Sequence, residues 1–169
     1  MIALIMGGAA SGKSRAAEAL VATLRPPITY LATWPDDPRD ADMQARVAAH
    51  RARRPRDWAS RDLAGDLGPA LRAIGGSVLL DALGTWVAAA PDFAVDTDDL
   101  CAALRDRDGD TVVVSDEVGL GVHPPTEAGR RFRDVLGAVN QAVGAVADDV
   151  WLVCAGRAVS LGPLPWASG

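Results

Sequence analysis

Lysine occurs once in this 169-residue chain, and that residue, Lys13, closes the run Gly7, Gly8, Ala9, Ala10, Ser11, Gly12, Lys13, Ser14. The spacing is G-x-x-x-x-G-K-[ST], in which glycines let backbone N–H groups turn inward around phosphate oxygens while the following helix adds its positive end. Lys13 would reach the β- and γ-phosphates of a nucleotide, and the Ser14 hydroxyl would ligate Mg²⁺. A glycine-rich turn that merely ends a strand is the plainer alternative. It leaves unexplained why the only lysine among sixteen arginines stands at this position.

Two carboxylates could serve the same metal. Asp81 ends Ser77-Val78-Leu79-Leu80-Asp81 and Asp116 ends Val112-Val113-Val114-Ser115-Asp116, each at the C-terminal end of an apolar run, where open α/β sheets collect their ligands. Either could equally be a helix cap or a solvated turn. His50 lies one helical turn after Arg46 and beside Arg51, Arg53 and Arg54. Guanidinium groups there could hold a triphosphate and keep the imidazole neutral, as an attack on the α-phosphorus requires. Spacing alone favours the plainer reading, a basic helix C-terminus with His50 on the stripe of Met43 and Val47. His123, before Pro124-Pro125, reads as a loop residue.

The elements that must position these groups follow from hydrophobic periodicity. Residues 2–6 form a short apolar run stopping at Gly7-Gly8, as a strand buried on both faces does. A helix over 14–24 follows, ended by Pro26-Pro27. Further apolar runs at 28–32, 78–80, 112–114 and 150–155 alternate with helical stretches. The clearest of these covers 126–147, with Phe132, Val135, Leu136, Val139, Val143 and Val146 on one stripe; another covers 40–54. This alternation predicts a mostly parallel sheet covered by helices on both sides, in one domain spanning 1–169. The Gly-, Pro- and Ser-rich residues 162–169 read as a loose end.

Composition narrows the functional classes. Seventeen basic against twenty-two acidic side chains give a formal charge of −5, which argues against a general nucleic-acid coat. Cys101 and Cys154 form neither a disulfide framework nor a metal-ligand spacing. No apolar stretch approaches a membrane span and no secretory leader is visible, so a cytoplasmic protein is expected.

Taken together, several segments resemble the bifunctional adenosylcobinamide kinase and adenosylcobinamide-phosphate guanylyltransferase family of cobalamin biosynthesis. They are the phosphate loop with Arg15 and Ala17-Glu18-Ala19-Leu20, Tyr30-Leu31-Ala32-Thr33, Met43 to Arg46 leading to His50-Arg51 and Arg54-Pro55, Trp58, Glu117-Val118-Gly119-Leu120-Gly121-Val122-His123-Pro124, Arg131-Phe132-Arg133-Asp134, Val139-Asn140-Gln141 and Val150-Trp151-Leu152-Val153. The resemblance implies a P-loop NTPase fold of the RecA-like type, often a homotrimer, with ATP and GTP as substrates and adenosylcobinamide and its phosphate as acceptors. Two reactions are implied: phosphorylation of the aminopropanol hydroxyl, then GMP transfer through a guanylylated histidine. The matching histidine is His50, since a second one found in some relatives is Ala49 here. Nucleotide contacts map to the phosphate loop, to Thr33, Trp34 and Pro35, to His50, Arg51, Ala52 and Arg53, and to Asp62 and Asp81. Asp62 and Asp81 are each one methylene shorter than the usual glutamate, and Asp116 stands where relatives carry asparagine.

Two other readings follow from the same residues. One is a small-molecule kinase that has lost guanylyl transfer, and the other is a GTP-binding regulatory module with little turnover, which would leave His50 and its arginines without a task. Trp34, Trp86 and Leu120 are candidates for the corrinoid surface, with plain packing as the commoner role of a tryptophan.

Overall fold

The computed structural model describes residues 1–34, 55–63 and 65–163. The expected helix over 40–54, with His50, and the end of the chain from 164 onward lie outside the described residues. Five α-helices and seven strands are described: β1 (Ile2–Gly7), α1 (Lys13–Val21), β2 (Ile28–Ala32), β3 (Ala59–Asp62), α2 (Leu67–Arg72), β4 (Ser77–Asp81), α3 (Leu83–Ala89), α4 (Thr97–Asp106), β5 (Thr111–Asp116), α5 (Glu127–Val146), β6 (Asp149–Cys154) and β7 (Arg157–Ser160). Each apolar run read from the sequence is a strand. The helix expected over 14–24 is shorter, Lys13–Val21, because residues 22–24 close as a turn, with Leu24 N–H bonding the Val21 carbonyl at 3.0 Å.

The strands form one sheet in the order β3-β2-β4-β5-β1-β6-β7, parallel throughout except for the β6-β7 hairpin. Side chains alternate across it, so neighbouring residues feed different cores. Leu4, Leu80 and Val113 join Leu71, Leu83, Leu100, Leu136, Val139 and Val143 on one face, beneath α2 to α5. Ile5, Leu79, Val112 and Val114 join Ala17 and Val21 on the other, beneath α1. Both faces of the central strands are therefore apolar, as parallel sheets require. The edge strands β3 and β7 are exposed along their whole length and carry no apolar run, which is why periodicity did not reveal them.

This order sets distances at the C-terminal edge. Asp116 is in register with Gly7 on the neighbouring strand, whereas Asp81 is in register with Val114. At about 4.8 Å per strand, Asp81 stands about 10 Å across the sheet from β1, and Asp62 on β3 about 19 Å.

Candidate active site

The phosphate loop folds on its own backbone. Ser11 N–H bonds the Gly8 carbonyl at 3.3 Å, and Gly12 takes φ +95° at the N-terminus of α1. Glycine occupies that left-handed position without strain, and it offers no side-chain oxygen to cap the helix. No acidic residue lies in the first turn of α1. The helix's positive end is thus not neutralised by its own residues, while Gly8, Ala9 and Ala10 are exposed to solvent.

Two neighbours that sequence reading did not assign hold the loop from outside. Gly156, in the β6-β7 turn, donates its N–H to the Ser11 carbonyl at 2.8 Å, and Glu117 donates its N–H to the Gly7 carbonyl at 3.1 Å. A Cβ on Gly7 would come within 2.5 Å of the Val153 carbonyl, so glycine is needed there for packing.

Lys13 and Asp116 come together. The Lys13 ammonium lies 2.8 Å from Asp116 Oδ1 and donates to the Gly8 carbonyl at 3.2 Å. Asp116 is itself held from beneath: Asn140 Nδ2 donates to its carbonyl at 3.1 Å, Asn140 Oδ1 meets the Ser115 hydroxyl at 2.5 Å, and Gly84 packs so closely that a Cβ would strike Asp116 Oδ2. Asn140 is buried on the apolar stripe of α5. A polar residue interrupting such a stripe was the available signal for its role.

Asp81 and Thr33 form a second group. Tyr30 donates its hydroxyl to Asp81 Oδ2 at 2.9 Å. Thr33, buried, donates to the Ala82 carbonyl at 2.6 Å and accepts from the Ala82 N–H at 3.0 Å; Thr85 Oγ1 lies 2.5 Å from Thr33 Oγ1. Ala82 precedes the first residue of α3 and has no side-chain oxygen to cap it, so these two threonines hold the helix start against the end of β4. Trp34 follows Thr33, and its indole nitrogen is buried with no hydrogen-bond partner among the described residues. Asp62 ends the edge strand beyond, in register with Ala32. Ser14 is half-buried on α1. Pro35, His50, Arg51, Ala52 and Arg53 lie outside the described residues. Of the three suggested corrinoid contacts, Trp86 packs against the core under α3 and Leu120 is 81% exposed.

A glycine-rich loop between β1 and the N-terminus of α1, with Lys13 at its mouth, makes this a P-loop nucleotide-binding protein, and the central order β2-β4-β5-β1-β6 is that of the RecA-like branch. Comparison with solved structures agrees on the fold: an ATPase from the type III secretion system of pathogenic bacteria superposes with a TM-score of 0.54 at 11% identity, over 94% of this chain and 56% of that one. The chain belongs to the CobU family, cobinamide kinase / cobinamide phosphate guanyltransferase, which it matches over residues 3–161. The bifunctional adenosylcobalamin biosynthesis protein CobU of Salmonella typhimurium is 38% identical over 183 residues, covering 95% of this chain and 99% of the relative. CobP of Pseudomonas aeruginosa, described in the same words, is 35% identical over 167 residues, covering 94% of this chain and 95% of that protein.

Proposed function

We propose that this enzyme transfers the γ-phosphoryl group of ATP or GTP to the aminopropanol hydroxyl of adenosylcobinamide, and then GMP from GTP to the resulting phosphate. The observation that supports it best is the Lys13 ammonium, poised at the mouth of the phosphate loop with the Asp116 carboxylate 2.8 Å away. When a nucleotide enters, its phosphates replace Asp116 as the partner of Lys13. Backbone N–H groups of the loop and the end of α1 then spread the charge that develops on the transferring group. The acceptor oxygen bonds to the γ-phosphorus, the bond to the β,γ-bridging oxygen breaks to release the nucleoside diphosphate, and the hydroxyl proton passes to solvent.

The donors at hand, one hydroxyl and separate carboxylates, fit Mg²⁺, which keeps water and takes only one or two protein oxygens beside the phosphates. Ser14 and Asp81 would hold it, Asp81 standing at the C-terminal end of β4, where open α/β sheets collect their ligands. When bound, the metal supplies charge neutralisation to the phosphates.

In the second reaction His50 acts as nucleophile. One imidazole nitrogen bonds to the α-phosphorus of GTP, the bond to the α,β-bridging oxygen breaks, and pyrophosphate leaves; an oxygen of adenosylcobinamide phosphate then displaces the imidazole to give adenosylcobinamide-GDP. Arg51 and Arg53 would hold the triphosphate meanwhile, with Thr33, Trp34, Pro35, Ala52 and Asp62 as further nucleotide contacts. The enzyme acts in the cytoplasm as a homo-oligomer, with these small molecules and not nucleic acid as its partners. Labelled GTP tests the scheme directly. His50→Ala is expected to lose an acid-labile, alkali-stable protein-bound GMP and the GDP product, while adenosylcobinamide phosphate still accumulates. GMP found on another residue, or an unchanged yield of adenosylcobinamide-GDP, overturns the assignment.

A further inference from the structure

Beyond Asp116 the chain leaves the C-terminal end of β5 as a loop over residues 117–125, and two aliphatic side chains on it stand almost wholly in water: Leu120 is 81% and Val122 is 96% exposed. The loop is nevertheless tightly tied. Glu117 Oε1 accepts the N–H groups of Gly119 at 2.5 Å and Leu120 at 3.2 Å, and its own N–H is bonded to Gly7 of the phosphate loop. At the far end Arg130 donates to the carbonyls of Pro124 and Pro125 at 3.2 and 3.1 Å, and Arg133 meets His123 Nδ1 at 3.0 Å. Polar anchors at both ends therefore hold an apolar tip outward. Gly121, between the two aliphatic residues, has no left-handed backbone angle, and a Cβ there would meet nothing within 4 Å. Neither conformation nor packing within the described residues requires a glycine at that position, whereas close approach of a flat ligand would.

We propose that this tip is the seat of the corrin ring of the acceptor, an inference that rests on the function proposed above. Three observations single out this occupant. The tip begins next to the reacting end of the site: Leu120 is four residues past Asp116, a reach of at most about 14 Å, and Asp116 touches Lys13. A corrin bears its hydroxyl on a flexible side arm, so the ring must rest to one side of the phosphate loop. Among the described residues the exposed aliphatic patch here is two side chains and the glycine between them. It is large enough for one face of a macrocycle. Finally, the surroundings match the ligand's chemistry, with an apolar centre for the ring and, nearby, Arg130, Arg133 and His123 as polar groups suited to a rim of carboxamides.

The test is a kinase assay with adenosylcobinamide and ATP on the full chain, with the mass of the oligomer measured by light scattering. The double variant Leu120→Ser with Val122→Ser is expected to raise KM for the corrinoid at least about tenfold, with KM for ATP within about twofold and the oligomer unchanged. Leu120→Met, which keeps an aliphatic contact, is expected to retain most of the affinity. A double variant with unaltered corrinoid KM overturns the inference, as does one whose loss of activity follows a changed oligomeric mass, which would assign the tip to contact between copies. Wild-type protein that fails to phosphorylate adenosylcobinamide would overturn the functional reading and this inference with it; normal wild-type turnover with an unaffected variant overturns this inference alone.

Discussion

Two cations mark opposite ends of the same sheet. Arg107, below the N-terminal ends of the strands, donates to the carbonyls of Ile74, Gly76, Gly109 and Asp110 and to the Thr111 hydroxyl, at 2.7 to 3.1 Å. Burial pushes its pKa down from the usual value, with Asp110 and Asp108 opposing the shift. Every acceptor is fixed backbone or a core hydroxyl, so the guanidinium is a permanent brace between the segments entering β4 and β5. Lys13, at the other end, has among the described residues one carboxylate, at the end of β5, and one carbonyl, on the solvent-exposed phosphate loop. The difference is one of exchangeability: a charge surrounded by fixed acceptors stabilises the fold, while a charge held by a replaceable partner can be lent to a substrate.

That contrast breaks most sharply at Lys13. Lys13→Ala should lower both activities by about a thousandfold or more, since it removes charge stabilisation from the transferring group. The thermal midpoint should stay within a few degrees, because little packing is lost. A variant with near-normal turnover, or one that unfolds, would erase the distinction between the two ends.

Arg107→Ala should show the reverse pattern. Five acceptors lose a charged donor, and a cost of about 3 kcal/mol in denaturant unfolding is expected, with KM and kcat per folded molecule unchanged. Arg107→Lys should recover only part of it, since one ammonium cannot span two loops as a fork does. A stability loss too small to measure would show that the brace is decorative.

The two carboxylates sharpen the comparison within the site. Asp81→Asn should raise the Mg²⁺ concentration giving half-maximal rate about tenfold, whereas Asp116→Asn should leave it nearly unchanged and lower the rate more modestly. The opposite ranking would move the metal to the lysine's partner. Smallest of all should be Gly84→Ala, whose added methyl pushes on Asp116 Oδ2; a several-fold loss of rate is expected, and in an Asp116→Ala background the same change should cost nothing further.

Much of this architecture was legible in order of residues. The phosphate loop announces itself because its chemistry is local: strand, glycines, lysine and helix are consecutive. Asp81 and Asp116 were legible as strand ends for the same reason. Asn140 and Tyr30 were present in segments that suggested the family, yet their tasks were not, because Asn140 acts on Asp116 across 24 residues and Tyr30 on Asp81 across 51. Thr33, expected as a nucleotide contact, has a hydroxyl committed to Ala82, a partner 49 residues away.

By itself, then, the sequence determined the alternation of strands and helices, the position of the phosphate loop and the residues able to meet phosphate, since each depends on periodicity or spacing over a few residues. Only the tertiary structure decided the order of the strands, and with it the pairing of Lys13 with Asp116 while Asp81 stands two strands away from β1. Strand order is set by how two apolar faces are covered at once, a long-range condition that no short window of residues contains.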